Sequence, residues 1–122
     1  MESRTAVASL AALAQNARLA IFRLLVQNGP EGLCVGDIAA KFDMAPATLS
    51  FHLKELTHAG LLVARQEGRF IYYAANYAEM SELIAFLTEK CCQGMPATQV
   101  ARIGQAVAAC CLPAETPKRS AA

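Results

Sequence analysis

The sequence predicts a mainly α-helical, dimeric domain with one small β-hairpin, and three observations carry that prediction. Apolar residues recur at three- and four-residue steps over most of the chain, and Asn28-Gly29-Pro30 and Gly60 punctuate those runs. Between the helical runs, "LLVARQEGRFIYYAAN" reads as two short strands around a Gly-containing turn. Finally, 55% hydrophobic against 17% charged residues is more apolar than a soluble domain usually carries, so a second copy is expected to cover part of the surface.

Each element has its own local reason. Residues 5–15, "TAVASLAALAQ", place Val7, Leu10, Leu13 and Ala14 on one face of a short Ala-rich helix. In "ARLAIFRLLVQNG", Leu19, Phe22 and Val26 with Ile21, Leu24 and Leu25 form a broad stripe that stops at Asn28-Gly29-Pro30. A short segment at 33–35 precedes a helix from about Asp37 to Phe42, a tight turn and a further helix entered at Pro46 and ended by Gly60. Two short helices across a turn of a few residues make a helix-turn-helix. From Tyr77, Met80, Leu83, Ile84, Leu87 and Cys91 keep helical spacing, with an end expected near Gly94. A weaker helix is expected over 97–110. Residues 1–111 are thus read as one domain with dimerising helices at both ends, and "LPAETPKRSAA", residues 112–122, as a disordered tail.

At 122 residues the chain has the commonest single-domain size, and a net charge of +1 supplies no global field toward nucleic acid or membrane. Any DNA contact must come from a local surface. Met1 is followed by no signal-like pattern and no apolar run reaches the roughly 18 residues a bilayer span needs, so a cytoplasmic protein without membrane contact is expected.

The local surface is the helix from 46 to 59. At about 100° per residue, Leu49, Leu53 and Leu56 fall together, while Ala47, Ser50, Phe51, Lys54 and His58 point away. Small, hydroxylic and basic side chains suit the major groove: Lys reaches guanine acceptors or phosphates, Ser either base, and Ala or Phe a thymine methyl. Thr48 sits near the helix N-terminus, where a phosphate can be met. His52, at the edge of the leucine stripe, reads as a packed histidine rather than a base reader. Arg65 and Arg69 flank the hairpin turn, well placed for phosphates or a minor groove. Helix, helix, hairpin is the order of a winged helix-turn-helix.

With those residues in place, the chain resembles the ArsR/SmtB family of small dimeric metal-responsive repressors over residues 10–93. The resemblance runs through "LAIFRLLVQNGPEGLCVGDIA", "ATLSFHLKELTHAGLL" and "RQEGRFIYYA". It implies a winged-helix dimer paired through its first and last core helices, bound to double-stranded operator DNA and released when an inducer binds.

The inducer is read from the thiols. Five cysteines fall as Cys34, Cys91 with Cys92, and Cys110 with Cys111, a usage that fits soft-metal or redox chemistry in a reducing cytosol. The family's Cys-Val-Cys-Asp-Leu segment reads here Cys34-Val35-Gly36-Asp37-Ile38, which lacks the second thiol, so Cys34 is expected to be a small buried residue. The zinc sensors' ligand pattern is also missing, because both histidines, His52 and His58, lie in the DNA-reading helix. Cys91 and Cys92 remain. At a helix end two adjacent side chains can converge, and thiolates without imidazole suit As(III) or Sb(III) by softness. The resemblance to arsenical-resistance repressors with a Cys-Cys pair at this place points the same way. Cys110 or Cys111 is the candidate third ligand, from the same subunit or its partner; a two-thiol site completed by a small ligand is the other possibility.

Two rival readings stand beside an arsenite-responsive repressor. A redox or persulfide switch would bond Cys91 or Cys92 to Cys110 or Cys111 on oxidation. A thiol enzyme is disfavoured, since none of the cysteines lies near a histidine in sequence or at an expected helix N-terminus.

Overall fold

A computed structural model describes residues 1–90 together with Arg102. The order is α1 (Ser3–Leu13), α2 (Asn16–Asn28), β1 (Leu33–Cys34), α3 (Val35–Phe42), α4 (Pro46–His58), β2 (Leu62–Glu67), β3 (Phe70–Ala75) and α5 (Tyr77–Leu87). All of these lie in one compact unit, Met1–Leu87, and the chain from Thr88 onward belongs to a second. The expected helix over 97–110 and the tail over 112–122 lie outside the described residues, apart from Arg102, which is helical and exposed.

The core is where α2, α3 and α4 meet the base of the sheet. Ile21 and Leu25 from α2, Ile38 from α3, Leu49, Leu53 and Leu56 from α4, and Leu61 are sealed from solvent. Each such side chain contributes about 1.5–3 kcal/mol by leaving water. The stripe expected on α2 is therefore observed, narrowed to Ile21, Phe22 and Leu25, with Leu19 left outside.

Within one subunit α1 packs through its small residues. Ala6, Ser9 and Ala12 are buried, whereas Val7 is 64% and Leu10 41% exposed. Small residues let this helix lie close against its neighbours, and the larger side chains of the same helix then face out. Leu87 at the end of α5 is also 57% exposed. The outward apolar positions of α1 and α5 suit burial against another surface.

Three strands form the sheet, in the order β1-β3-β2, all antiparallel, where the sequence reading had only a hairpin. The short segment after Gly32 pairs Leu33 with Tyr73 and Cys34 with Tyr72. Gly32 makes that pairing possible. Its φ of +81° lies in the left-handed region, and a Cβ there would stand 2.6 Å from the Tyr73 carbonyl oxygen. The hairpin turns at Gly68 and Arg69 rather than at Gln66-Glu67-Gly68, since Gln66 and Glu67 are still paired with Ile71 and Phe70.

α5 is shorter than its apolar spacing suggests, ending at Leu87 rather than near Gly94. Lys90 takes a left-handed φ of 58°, which a right-handed helix cannot pass through. At its start α5 is capped by Asn76, whose Oδ1 accepts from the Glu79 amide at 3.3 Å and whose Nδ2 donates to the Gly60 carbonyl at 3.0 Å. Tyr77 then ties α5 to α2. Its hydroxyl donates to the carbonyls of Val26 (2.9 Å) and Leu25 (3.4 Å), close to the end of α2.

Burial raises the Tyr77 phenol above its ordinary value, against a smaller lowering by the Gly29 backbone. A raised value means the folded state favours the neutral phenol, so this contribution to stability is intact below pH ~10 and is lost as pH rises through the folded value. Tyr77→Phe is expected to cost about 1 kcal/mol near neutrality and to flatten the alkaline loss of stability relative to the parent, read as urea midpoints across pH.

Candidate nucleic-acid interface

The turn between α3 and α4 sets how α4 is presented. Asp43, left-handed at φ 50°, ends α3, and Ala45 then enters α4 in an extended conformation with Pro46 in its first turn. Neither a capping side chain nor an acidic residue occupies that first turn. The partial positive charge of the helix N-terminus is therefore left open to an anion.

Leu49, His52, Leu53 and Leu56 face inward along α4, and Ala47, Thr48, Ser50, Phe51 and Lys54 are all exposed. Ala47, Ser50, Phe51 and Lys54 form an i, i+3, i+4, i+7 row. At about 1.5 Å rise per residue that row covers roughly 10 Å of helix axis, or about three base pairs at 3.4 Å each. Phe51 is 55% exposed in the middle of it. Such a large apolar side chain on a polar face is a surface feature without a packing role in the core.

His52 is 7% exposed, packed as expected, with its Nδ1 buried and without a hydrogen-bond partner among the described residues. Its ring lies 5.8 Å from that of Phe51, tilted by 57°. A buried ring under the exposed one restricts how Phe51 can turn. The sequence pattern placed His52 correctly but gave no sign of this pairing.

On the hairpin the two arginines differ. Arg69 sits exposed in the turn itself. Arg65 is engaged within the fold: its Nε meets Glu67 Oε2 at 2.8 Å, its Nη2 donates to the Glu31 carbonyl at 3.1 Å, and its guanidinium carbon lies 5.1 Å from the Tyr72 ring centroid. The Glu31 contact is not visible in the sequence, because Glu31 is brought near only by the pairing of β1.

The thiols divide likewise. Cys34 is half-buried rather than buried, its Sγ–H donating to Asp37 Oδ2 at 3.3 Å. It precedes α3 at the edge of the sheet, which explains the exposure. Cys91, Cys92, Cys110 and Cys111 lie outside the described residues. Among the described residues no group of three or more His, Cys, Asp or Glu side chains is placed to hold a metal ion. A cavity of about 380 Å³ between α1 and α4, lined by Arg18, Glu55 and His58 over alanines, shares no residue with the exposed row.

Comparison with known proteins agrees with this geometry. Residues 13–65 match the family described as a helix-turn-helix domain. The arsenical resistance operon repressor of Bacillus subtilis is 37% identical over 66% of this chain and 73% of its own length. Among solved structures, reduced HlyU from Vibrio cholerae superposes with a TM-score of 0.59 at 32% identity, covering 75% of this chain and 93% of that one. The homodimeric winged helix-turn-helix DNA-binding domain of a possible ArsR-family regulator from Mycobacterium bovis gives 0.59 at 33% identity, over 70% of this chain and 76% of its own. Among the described residues no single helix is long and apolar enough to cross a membrane. With a helix-turn-helix whose second helix keeps an exposed row opposite its buried leucine stripe, a β-hairpin after it, and relatives of this kind, the chain belongs to the ArsR family of winged helix-turn-helix, DNA-binding transcriptional regulators.

Proposed function

We propose that the chain is a homodimeric repressor that reads double-stranded operator DNA through Ala47, Thr48, Ser50, Phe51 and Lys54, with the wing hairpin and its exposed Arg69 beside them, and that trivalent arsenic or antimony releases it. The observation that carries the DNA reading is the exposed row on a helix whose opposite face is sealed in the core. Dimer formation is supported by the outward apolar residues Val7, Leu10 and Leu87 on α1 and α5. Two recognition helices related by a two-fold axis would then address half-sites about one DNA turn apart.

The inducer reading rests on donor chemistry and on the relative named for arsenical resistance. Cys91 and Cys92 are adjacent thiols that follow α5 by a few residues, and Cys110 or Cys111 is the candidate for a third. Thiolates are the soft donors that As(III) and Sb(III) prefer. Each As–S bond forms as a hydroxide leaves arsenite with the thiol proton as water, so no electron is transferred. Ligation acts on the chain directly after α5, the helix that Tyr77 ties to α2. A shift of α5 would thereby change how the two subunits hold their recognition helices.

A redox or persulfide switch is the second reading, favoured by the neighbour described as reduced. It joins Cys91 or Cys92 to Cys110 or Cys111 only with an oxidant that takes two electrons.

Two expectations separate these points. Phe51→Ala should leave stability within about 0.5 kcal/mol, as for a surface substitution, while removing about 1–3 kcal/mol of operator preference over random DNA; unfolding instead would make Phe51 a packing residue. Arsenite without oxidant should release the parent protein from operator in a gel-shift titration and fail to release Cys91→Ser. Release by peroxide alone, with arsenite inert, would favour the redox reading.

A further inference from the structure

The three contacts of Arg65 point to a role other than phosphate binding. Its guanidinium spans two strands and a distant loop: Glu67 lies on its own strand, Tyr72 is its cross-strand partner, and the Glu31 carbonyl belongs to the loop between α2 and β1. Nε and Nη2 are both committed, to different acceptors, and the group lies near an aromatic ring. Only a planar guanidinium fork serves two divergent acceptors while resting on a ring; an ammonium is a single point charge.

The loop it reaches is itself held in place. Asn28 Nδ2 donates to the Gly32 carbonyl at 3.1 Å, and the Gly32 amide donates to the Gly29 carbonyl at 3.2 Å. A Cβ at Gly32 would collide with Tyr73, so loop and β3 are in close contact. Arg65 therefore bonds to a rigid point. The hairpin beyond it gains little from the core, for along β2 every residue after Leu62 is exposed. A wing of that kind needs a fixed strut if its turn is to meet DNA in one orientation.

We infer that Arg65 is a positioning residue, a strut between the wing and the Gly29–Gly32 loop, and that Arg69 is the wing cation that meets the DNA phosphate. This rests on the operator-binding reading above. Glu67 has a matching part: its carboxylate holds Arg65 Nε and offsets its charge, so Arg65 and Glu67 together bring almost no net charge to the wing. Arg69, in the turn between the strands, supplies the charge.

Salt dependence of operator binding by the full chain, for Arg65→Lys, Arg65→Ala, Tyr72→Leu and Arg69→Ala, tests the assignment. A lost phosphate contact lowers the slope of log K against log salt by about 0.9 per contact, and a dimer loses two. Arg69→Ala is expected to lower the slope by that amount. Arg65→Lys, Arg65→Ala and Tyr72→Leu are expected to weaken binding several-fold at unchanged slope and to speed amide hydrogen exchange over residues 63–71, leaving exchange in α2 and α4 as in the parent. Parent-like affinity and wing exchange in Arg65→Lys, or a slope reduced in Arg65→Ala as in Arg69→Ala, would overturn the inference, because a phosphate contact is rescued by a lysine and a strut is not. If Arg69→Ala changes neither affinity nor slope, the assignment of the wing contact to Arg69 fails. If the parent chain shows no salt-dependent preference for operator, the operator-binding reading fails instead.

Discussion

The exposed row on α4 depends on the burial of Leu49, Leu53 and Leu56 against Ile21, Leu25 and Ile38. At about 1.5–3 kcal/mol for each buried leucine, against a total stability of roughly 5–15 kcal/mol for a domain, the stripe is a large fraction of what holds the fold. It also fixes rotation. A displacement of one residue along α4 would turn the helix by about 100° and carry Ser50 or Lys54 toward the core, where an unpaired charge is costly. The exposed row is thus specified by the hydrophobic pattern on the opposite face.

A second constraint acts through backbone rather than side-chain volume. Gly32 admits β1 to the edge of β3, and the resulting sheet brings the loop before β1 beside Arg65. Tyr77 fastens the start of α5 to the end of α2, just before the same loop. The loop consequently sits between the helix that precedes the thiols and the wing, joined to the wing by hydrogen bonding and to α2 by the chain itself. With a net charge of only +1, association with DNA depends on where a few cations are held rather than on a general field.

The elements themselves were largely legible from sequence because periodicity and breakers act locally. Pro46, Gly60 and the leucines at three- and four-residue spacing define α4 without any tertiary information. Elsewhere the sequence misled where partner geometry decides. In α1 the apolar spacing drew attention to Val7 and Leu10, but the residues that pack within the subunit are Ala6, Ser9 and Ala12, selected by close helix approach. β1 is two residues long and has no pattern of its own, so its pairing with Tyr72 and Tyr73 could not be read. The end of α5 was missed because apolar spacing continues past Leu87 while the backbone turns left-handed at Lys90. Of the site, the row on α4 followed from helical geometry alone; the different circumstances of Arg65 and Arg69 did not, since the carbonyl that engages Arg65 belongs to residue 31.

The most direct test of the central claim is an amide chemical-shift map of the full chain on addition of its operator duplex. Shifts should concentrate at Ala47, Thr48, Ser50, Phe51 and Lys54 and at the wing turn around Gly68 and Arg69, with Leu49, Leu53 and Leu56 changing less than their exposed neighbours. A map centred on α1 and α5, with the first two turns of α4 unmoved, would contradict the account.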